Sequence, residues 1–336
     1  MKKVSIKDIA AEVKLSKTTV SFILNGKGEA NNISKETIKR VLSVAQQLNY
    51  QPNYFAKSLS LGKSNTIGLI IPHITDPFFS EIATIIETIA AEHEYTVVYG
   101  STREDADQER KLINTFIQKQ VDGLIIASSL LNENDILNLQ KVKYPFILID
   151  RYYSNLNTSY VVVENEIGSY NIINSLIEKK RNCIAVITAS RYLNLMQERE
   201  NGYKRALNKH NIPFNRELIK EVNLEDIESS VGKAIAELSS NYPQLDAIFF
   251  TTHYMVPYGL KYLKDKNKII PDDIAICCFG DSTDLKFFVP SITAIPMPAK
   301  QIGQEAIRIL LKEISSNNDY VEQIKLPVNI IGRESW

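Results

Sequence analysis

Ser5-Ile6-Lys7-Asp8-Ile9-Ala10-Ala11-Glu12-Val13-Lys14-Leu15-Ser16-Lys17-Thr18-Thr19-Val20-Ser21-Phe22-Ile23-Leu24-Asn25-Gly26 reads as two short helices joined by a tight turn. Ser5 stands at the N-cap of the first, with Asp8 placed to answer it. Ile6, Ile9, Ala10 and Val13 recur at i, i+3, i+4 and i+7, one apolar stripe. Ser16 caps a second helix, Lys17 to Leu24, which ends at Asn25-Gly26. A third helix opens at Ser34 and is expected to turn Ile38, Val41, Leu42, Ala45 and Leu48 inward. Two helices across so short a turn, braced by a third, form a helix-turn-helix, whose second helix is shaped for a DNA major groove.

The outward residues of that second helix suit the task. Ser16, Thr19, Ser21 and Asn25 are short hydrogen-bonding side chains fit for phosphate oxygens, and Lys17 and Thr18 lie at the leading end, where base edges are met. A helix pair alone is equally consistent with a small solvated bundle, so charge decides. Residues 1–63 carry eleven Lys/Arg against Asp8, Glu12, Glu29 and Glu36, a surplus of +7. The remainder holds 28 basic and 35 acidic residues, so the formal charge of zero hides a basic head on an acidic body. That is the electrostatic footprint of a nucleic-acid binder.

Val4-Ser5-Ile6-Lys7-Asp8-Ile9-Ala10, Leu15-Ser16-Lys17-Thr18-Thr19-Val20-Ser21, Leu24-Asn25-Gly26 and Leu48-Asn49-Tyr50-Gln51-Pro52-Asn53 resemble the head of the lac-repressor (LacI/GalR) family of bacterial transcription regulators. The resemblance runs to the C-terminus. It implies a head at 1–49, a hinge helix and linker at 50–64, and a two-lobed body at 65–336 like a periplasmic binding protein. Lobe one would take about 65–163 and 295–325, and lobe two about 164–294 and 326–336. Ser5, Tyr50 and Asn53 join the DNA-contacting set by the same resemblance. Pro52 sits at a helix start, and Asn53 to Ser60 can form about two turns, marginal without DNA and a partner chain. Ala56-Lys57-Ser58-Leu59 resembles the family's minor-groove motif, which makes Leu59 the expected wedge between base steps and places Lys57 near phosphate.

From Thr66 the chain alternates buried-strand runs with helices, which implies an α/β body of two doubly wound parallel sheets. The runs include Ile67–Ile71, Thr96–Tyr99, Gly123–Ala127, Phe146–Ile149, Ile184–Thr188, Ala247–Thr251 and Ile274–Phe279, with a last segment expected at Leu326–Ile331. Such sheets bind ligands at the carboxyl ends of their strands. There the resemblance implies a sugar-binding cleft. Asp76 would bond a hydroxyl while Phe78 and Phe79 pack on the ring, Asp150-Arg151 would hold vicinal hydroxyls, and Arg199 would point at the ligand.

Five departures stand against the family pattern. In the cleft, His253 stands at a usual Asn, Gly280 at a common Asp and Met297 at a frequent Gln. Loss of a carboxylate beside Arg151 and Arg199 favours an anionic ligand, a uronate or sugar phosphate, over a neutral hexose. In the head, Phe22 occupies a recognition position where many relatives carry Arg, and Lys14 replaces the turn glycine.

The other classes fare worse. A transport solute-binding protein shares the body, but it would begin with a signal peptide, not a basic helix-turn-helix. An enzyme is disfavoured by the lack of a Gly-rich phosphate loop or a nucleophile elbow. His73, His93, His210 and His253 have no metal-ligand spacing, and no cofactor is expected. Cys183, Cys277 and Cys278 read as reduced thiols of a cytoplasmic protein. The expectation is a homodimer on a pseudo-palindromic operator, without the heptad tail of a tetramer.

Overall fold

A computed structural model describes residues 4–50, 63–316 and 321–336. The chain divides into two compact units, Met1–Ser64 and Asn65–Trp336.

In the first unit α1 (Ile6–Val13), α2 (Lys17–Leu24) and α3 (Lys35–Gln47) close on Ile9, Ala10, Val13, Val20, Ile23, Val41 and Ala45. Ser16 Oγ accepts the Thr19 N–H at 3.0 Å and Ser34 Oγ that of Thr37 at 3.2 Å, so each helix begins at a hydroxyl cap. One expected core residue is corrected. Leu42 is 47% exposed, because a step of one residue from Val41 rotates about 100° off the buried stripe. Val44 packs against the core instead. Lys14 adopts φ 53°, ψ 42° at the end of α1. A side chain there costs roughly 1 kcal/mol against glycine, which a packed head tolerates.

The second unit holds two parallel sheets. The first contains β1 (Thr66–Ile71), β2 (Thr96–Ser101), β3 (Gly123–Ile126), β4 (Phe146–Ile149), β5 (Tyr160–Val163) and β11 (Gln323–Leu326), in the order β11-β5-β4-β3-β1-β2. The second contains β6 (Ile184–Thr188), β7 (Ile219–Glu221), β8 (Ala247–Phe250), β9 (Ala275–Phe279) and β10 (Thr293–Ile295), ordered β10-β9-β8-β6-β7. Each sheet reverses order beside its first strand, so both have a switch point where loops diverge and leave a crevice. The chain changes sheet after Val163 and again after Ile295. After Leu326 the tail returns to the second sheet, where Ile331 bridges Ala294 and the Ser335 hydroxyl donates to Ile276 O at 2.6 Å. The strand expected at Leu326–Ile331 lies earlier, at Gln323–Leu326. Its alternating exposure, with Gln323 and Lys325 outward, hid it from a search for continuous apolar runs.

Helices α4 (Pro77–Glu92), α5 (Ala106–Gln118), α6 (Glu133–Lys141) and α11 (Ala299–Ser315) cover the first sheet. Helices α7 (Asn165–Glu178), α8 (Asn194–Lys209), α9 (Ile227–Asn241) and α10 (Val256–Asp265) cover the second. α7 and α8 approach closely at Gly202, where a Cβ would stand 2.3 Å from the Glu166 carbonyl oxygen. That contact fixes α8, which carries Arg199.

Near the C-terminus of α11, Glu313 Oε2 is buried without a hydrogen-bond partner. Burial raises its pKa from 4.5 to about 7 against the opposing Phe146 N–H. The folded state therefore binds this proton more tightly than the unfolded one. Its stabilising effect is complete below pH 4.5 and disappears as pH rises through 7. Glu313→Gln is expected to raise Tm at pH 8 and leave it nearly unchanged at pH 4.5, read from paired thermal melts.

Candidate functional site

Loops at the carboxyl ends of both sheets enclose a cavity of about 400 Å³, within the range of small-molecule sites. All eight cleft residues expected from the sequence line it: Asp76, Phe78, Phe79, Asp150, Arg151, Arg199, His253 and Met297. Asp76 caps α4 by accepting the Phe78 N–H at 2.9 Å. Its carboxylate is therefore held at the helix N-terminus, where the dipole favours negative charge. Phe78 and Phe79 meet edge to face with centroids 5.0 Å apart. Both are almost fully buried, so they serve the lobe core as well as the cavity wall.

Asp150 follows β4 with φ 64°, a left-handed turn that Asp tolerates better than most residues. Burial raises its carboxyl pKa, partly countered by Arg151 and Arg199. Arg151 brings a correction. Its guanidinium is not a free partner for vicinal hydroxyls, because Glu104 grips it with two bonds of 2.6 and 2.7 Å. A third nitrogen faces Asp150 Oδ2 at 3.4 Å, and the Ser128 carbonyl accepts another N–H at 3.1 Å. Burial alone would pull the Arg151 pKa down, but the bonds to Glu104 and the charge of Asp150 carry it above its ordinary value. Glu104 sits in the loop after β2 with φ 60° and also lines the cavity. It was missed because no local pattern links it to a residue 47 positions away.

Arg199 on α8 has a different environment. Its Nε donates to Asn165 Oδ1 at 2.9 Å, one terminal nitrogen donates to Thr251 O at 2.5 Å, and the other reaches only the Met297 sulfur at 3.8 Å. The guanidinium lies 3.8 Å over the Phe279 ring, a cation–π contact. It is 2% exposed, and burial lowers its pKa to about 10 against the pull of Asp150. Among the described residues it forms no ion pair, and its second terminal nitrogen has only the long Met297 sulfur contact.

Charge around the cavity therefore differs from the expected cation surplus. Arg151 and Arg199 face three carboxylates, Asp76, Asp150 and Glu104. The acid next to Gly280, Asp281, is bound to Arg333 and does not line the cavity. Leu195, Met196, Leu224 and Ile227 complete an apolar wall that sequence reading did not single out.

One network joins the lobes beside the cavity. Glu198, next to Arg199, accepts the Tyr152 hydroxyl at 2.8 Å, the Asn165 amide at 3.1 Å and the Lys325 ammonium at 3.3 Å. Asn194 on the same helix donates to Tyr152 O at 2.7 Å. Asn165 thus binds Arg199 through its oxygen and Glu198 through its nitrogen, tying the cavity to the contact between lobes.

In the head, Ser16, Lys17, Thr18 and Asn25 are exposed and Thr19, Ser21 and Phe22 half-buried. Several of these hydroxyls are engaged locally. The Ser16 and Thr19 oxygens are 2.8 Å apart, Asn25 donates to Ser21 O at 2.9 Å, and the Ser5 hydroxyl donates to Asp8 at 2.7 Å. Phe22 is outside the head's apolar cluster, whereas Tyr50, expected at DNA, packs partly against it. Asn53, Ala56, Lys57 and Leu59 lie outside the described residues.

Residues 5–53 match the model of bacterial regulatory proteins of the lacI family, and residues 173–336 match a periplasmic binding protein-like domain. The ribose operon repressor of Halalkalibacterium halodurans is 31% identical over 98% of this chain and 96% of its own. The chain belongs to the LacI family of bacterial regulatory proteins. This LacI-family chain is a DNA-binding transcriptional regulator, the function of its full-length relatives, and not a transport binding protein. A lac repressor dimer bound to operator superposes with TM-score 0.85 at 19% identity, covering 99% of both chains, and shares the fold. A LacI-family regulator from Enterococcus faecium with bound ribose matches at TM-score 0.71 and 26% identity, covering 80% of this chain and 98% of that one.

Proposed function

We propose that this LacI-family regulator is a homodimeric repressor whose cavity binds a neutral, ribose-sized sugar, and that occupancy changes its affinity for a pseudo-palindromic operator. The observation that carries the ligand class is the Glu104–Arg151 pair. With Arg151 neutralised by Glu104 and Asp150, Arg199 is, among the described residues, the cavity arginine left to meet the ligand. An anionic ligand would add a fourth negative group to the three carboxylates of a buried site, so hydroxyls suit the cavity better than a uronate or phosphate. Asp76 and Asp150 accept from hydroxyls, Arg199 donates to an oxygen, and Phe78, Phe79 and Phe279 pack on the carbon skeleton. The ribose named for a relative and for a related structure supplies the first compound to try.

Calorimetric titration of the full-length protein with ribose against ribose 5-phosphate, and glucose against glucuronate, tests this. Tighter binding of the neutral member of each pair is expected; preference for the acidic members contradicts the reading.

The coupling follows the network at Asn165. A ligand that draws Arg199 inward shifts Asn165 and with it the Glu198–Tyr152–Lys325 contact between lobes. The change must reach the head through the linker that follows Tyr50. At the DNA, Lys17 and Thr18 would meet base edges, and Phe22 would contact a thymine methyl where an arginine would read guanine. Selection from random duplexes is expected to return thymine at that half-site position; guanine there contradicts the assignment. No catalytic role is assigned, and the protein would act in the cytoplasm. No helix among the described residues is long and apolar enough to cross a membrane.

A further inference from the structure

His253 begins the short turn after β8, is 8% exposed and lines the cavity. Among the described residues neither ring nitrogen has a hydrogen-bond partner. Neither nitrogen is among the fully enclosed unpartnered polar atoms, so the ring keeps access to the cavity, where a ligand group can bond it. The reason the ring can sit there is Gly280, at the end of β9 with φ 82°. A Cβ on that residue would stand 2.6 Å from His253 Nδ1 and 3.3 Å from its Cγ. Nor can Gly280 easily retreat: its N–H is bonded to the Ile295 carbonyl at 2.8 Å, pinning it to the neighbouring strand.

We infer that His253 and Gly280 form one specificity device, in which the glycine leaves open the niche that seats the imidazole and the imidazole reads a ligand hydroxyl. Neutral imidazole both donates and accepts, so it can bond a hydroxyl in either sense, which a carboxylate cannot. Around it, Asp76 from the start of α4 and Asp281 from the loop after β9 favour the charged ring. Burial, the dominant influence, and Arg199 from α8 favour the neutral one, while the Tyr254 ring packs edge-on at 5.8 Å. Asp281 is itself tied to Arg333, which weakens its claim on the imidazole. The inference rests on the sugar-binding reading above, and its test separates the two.

The test is a cycle on the full-length protein with ribose as probe: wild type, Gly280→Ala, His253→Ala, and the double variant. Gly280→Ala is expected to weaken ribose binding at least tenfold in the wild type. In the His253→Ala background the same change is expected to cost less than threefold, because truncation to Cβ leaves only an ordinary 3.5 Å contact while the backbone strain at φ 82° is common to both. Equal costs in the two backgrounds overturn the proposal, as does a His253→Ala protein that binds ribose like the wild type. A second arm uses no ligand. In an NMR titration of the histidine rings, assigned by His253→Ala, His253 should titrate below the ordinary value of about 6.5 and move up towards it in Gly280→Ala. A ring unmoved by Gly280→Ala overturns the seating. A wild type that ignores ribose while this shift is present contradicts the ligand class and not the seating.

Discussion

Replacing Arg199 with methionine is expected to weaken sugar binding by about 10- to 150-fold, the range for a hydrogen bond to a charged group, with little change in thermal stability. The two halves of that result come from one environment. Arg199 has no ion-pair partner among the described residues, and its pKa falls to about 10 because burial penalises the charge. Removing it relieves that penalty, which offsets the donors lost by Asn165 and Thr251. Binding loses its strongest donor with no such offset. Calorimetry with ribose and a thermal melt on the same preparation check both. A variant that binds normally, or one that unfolds, contradicts the assignment of Arg199 to the ligand.

Arg151 is expected to behave in the opposite way. Arg151→Met leaves Asp150 buried and Glu104 without its bidentate partner, and breaking a buried pair by removing one member costs about 3–5 kcal/mol. Tm should fall by roughly 10 °C for a unit of this size. Adding Glu104→Gln should restore part of the loss, because one uncompensated charge is removed along with its partner. Thermal melts of the single and double variants decide. If Arg151→Met melts with the wild type, Arg151 is not the structural member of the arginine pair, and the neutral-ligand argument loses its basis.

That difference between two arginines was not legible in the sequence. Asp150-Arg151 and Arg199 stand out equally, one beside a strand end and one on a helix. What separates them is the company each keeps: Glu104 from the loop after β2 for one, and Asn165, Thr251 and Phe279 for the other. These partners come from other loops and strands, so only the folded chain assembles them. Most strands and helices were legible because burial on both faces of a parallel sheet imposes continuous apolar runs such as Ile67–Ile71 and Phe146–Ile149; β5 and β10, runs of only four and three residues, were not singled out. β11 escaped because one of its faces is wet. In the head, Leu42 shows the converse: an apolar residue one step from the stripe reads as core until the helix rotation is counted. His253 and Gly280 each stood out as a departure, but they are 27 positions apart in the chain and share one niche only once it folds.

The central claim is that occupancy of the cavity and grip on DNA are coupled in one molecule. Its most direct measurement is the affinity of the full-length protein for a palindrome selected from random DNA, at fixed salt, with and without saturating sugar. The expected shift is about 5- to 150-fold, corresponding to an allosteric coupling of about 1–3 kcal/mol, and it disappears in Arg199→Met. An operator affinity unchanged by a sugar that calorimetry shows to be bound would contradict it.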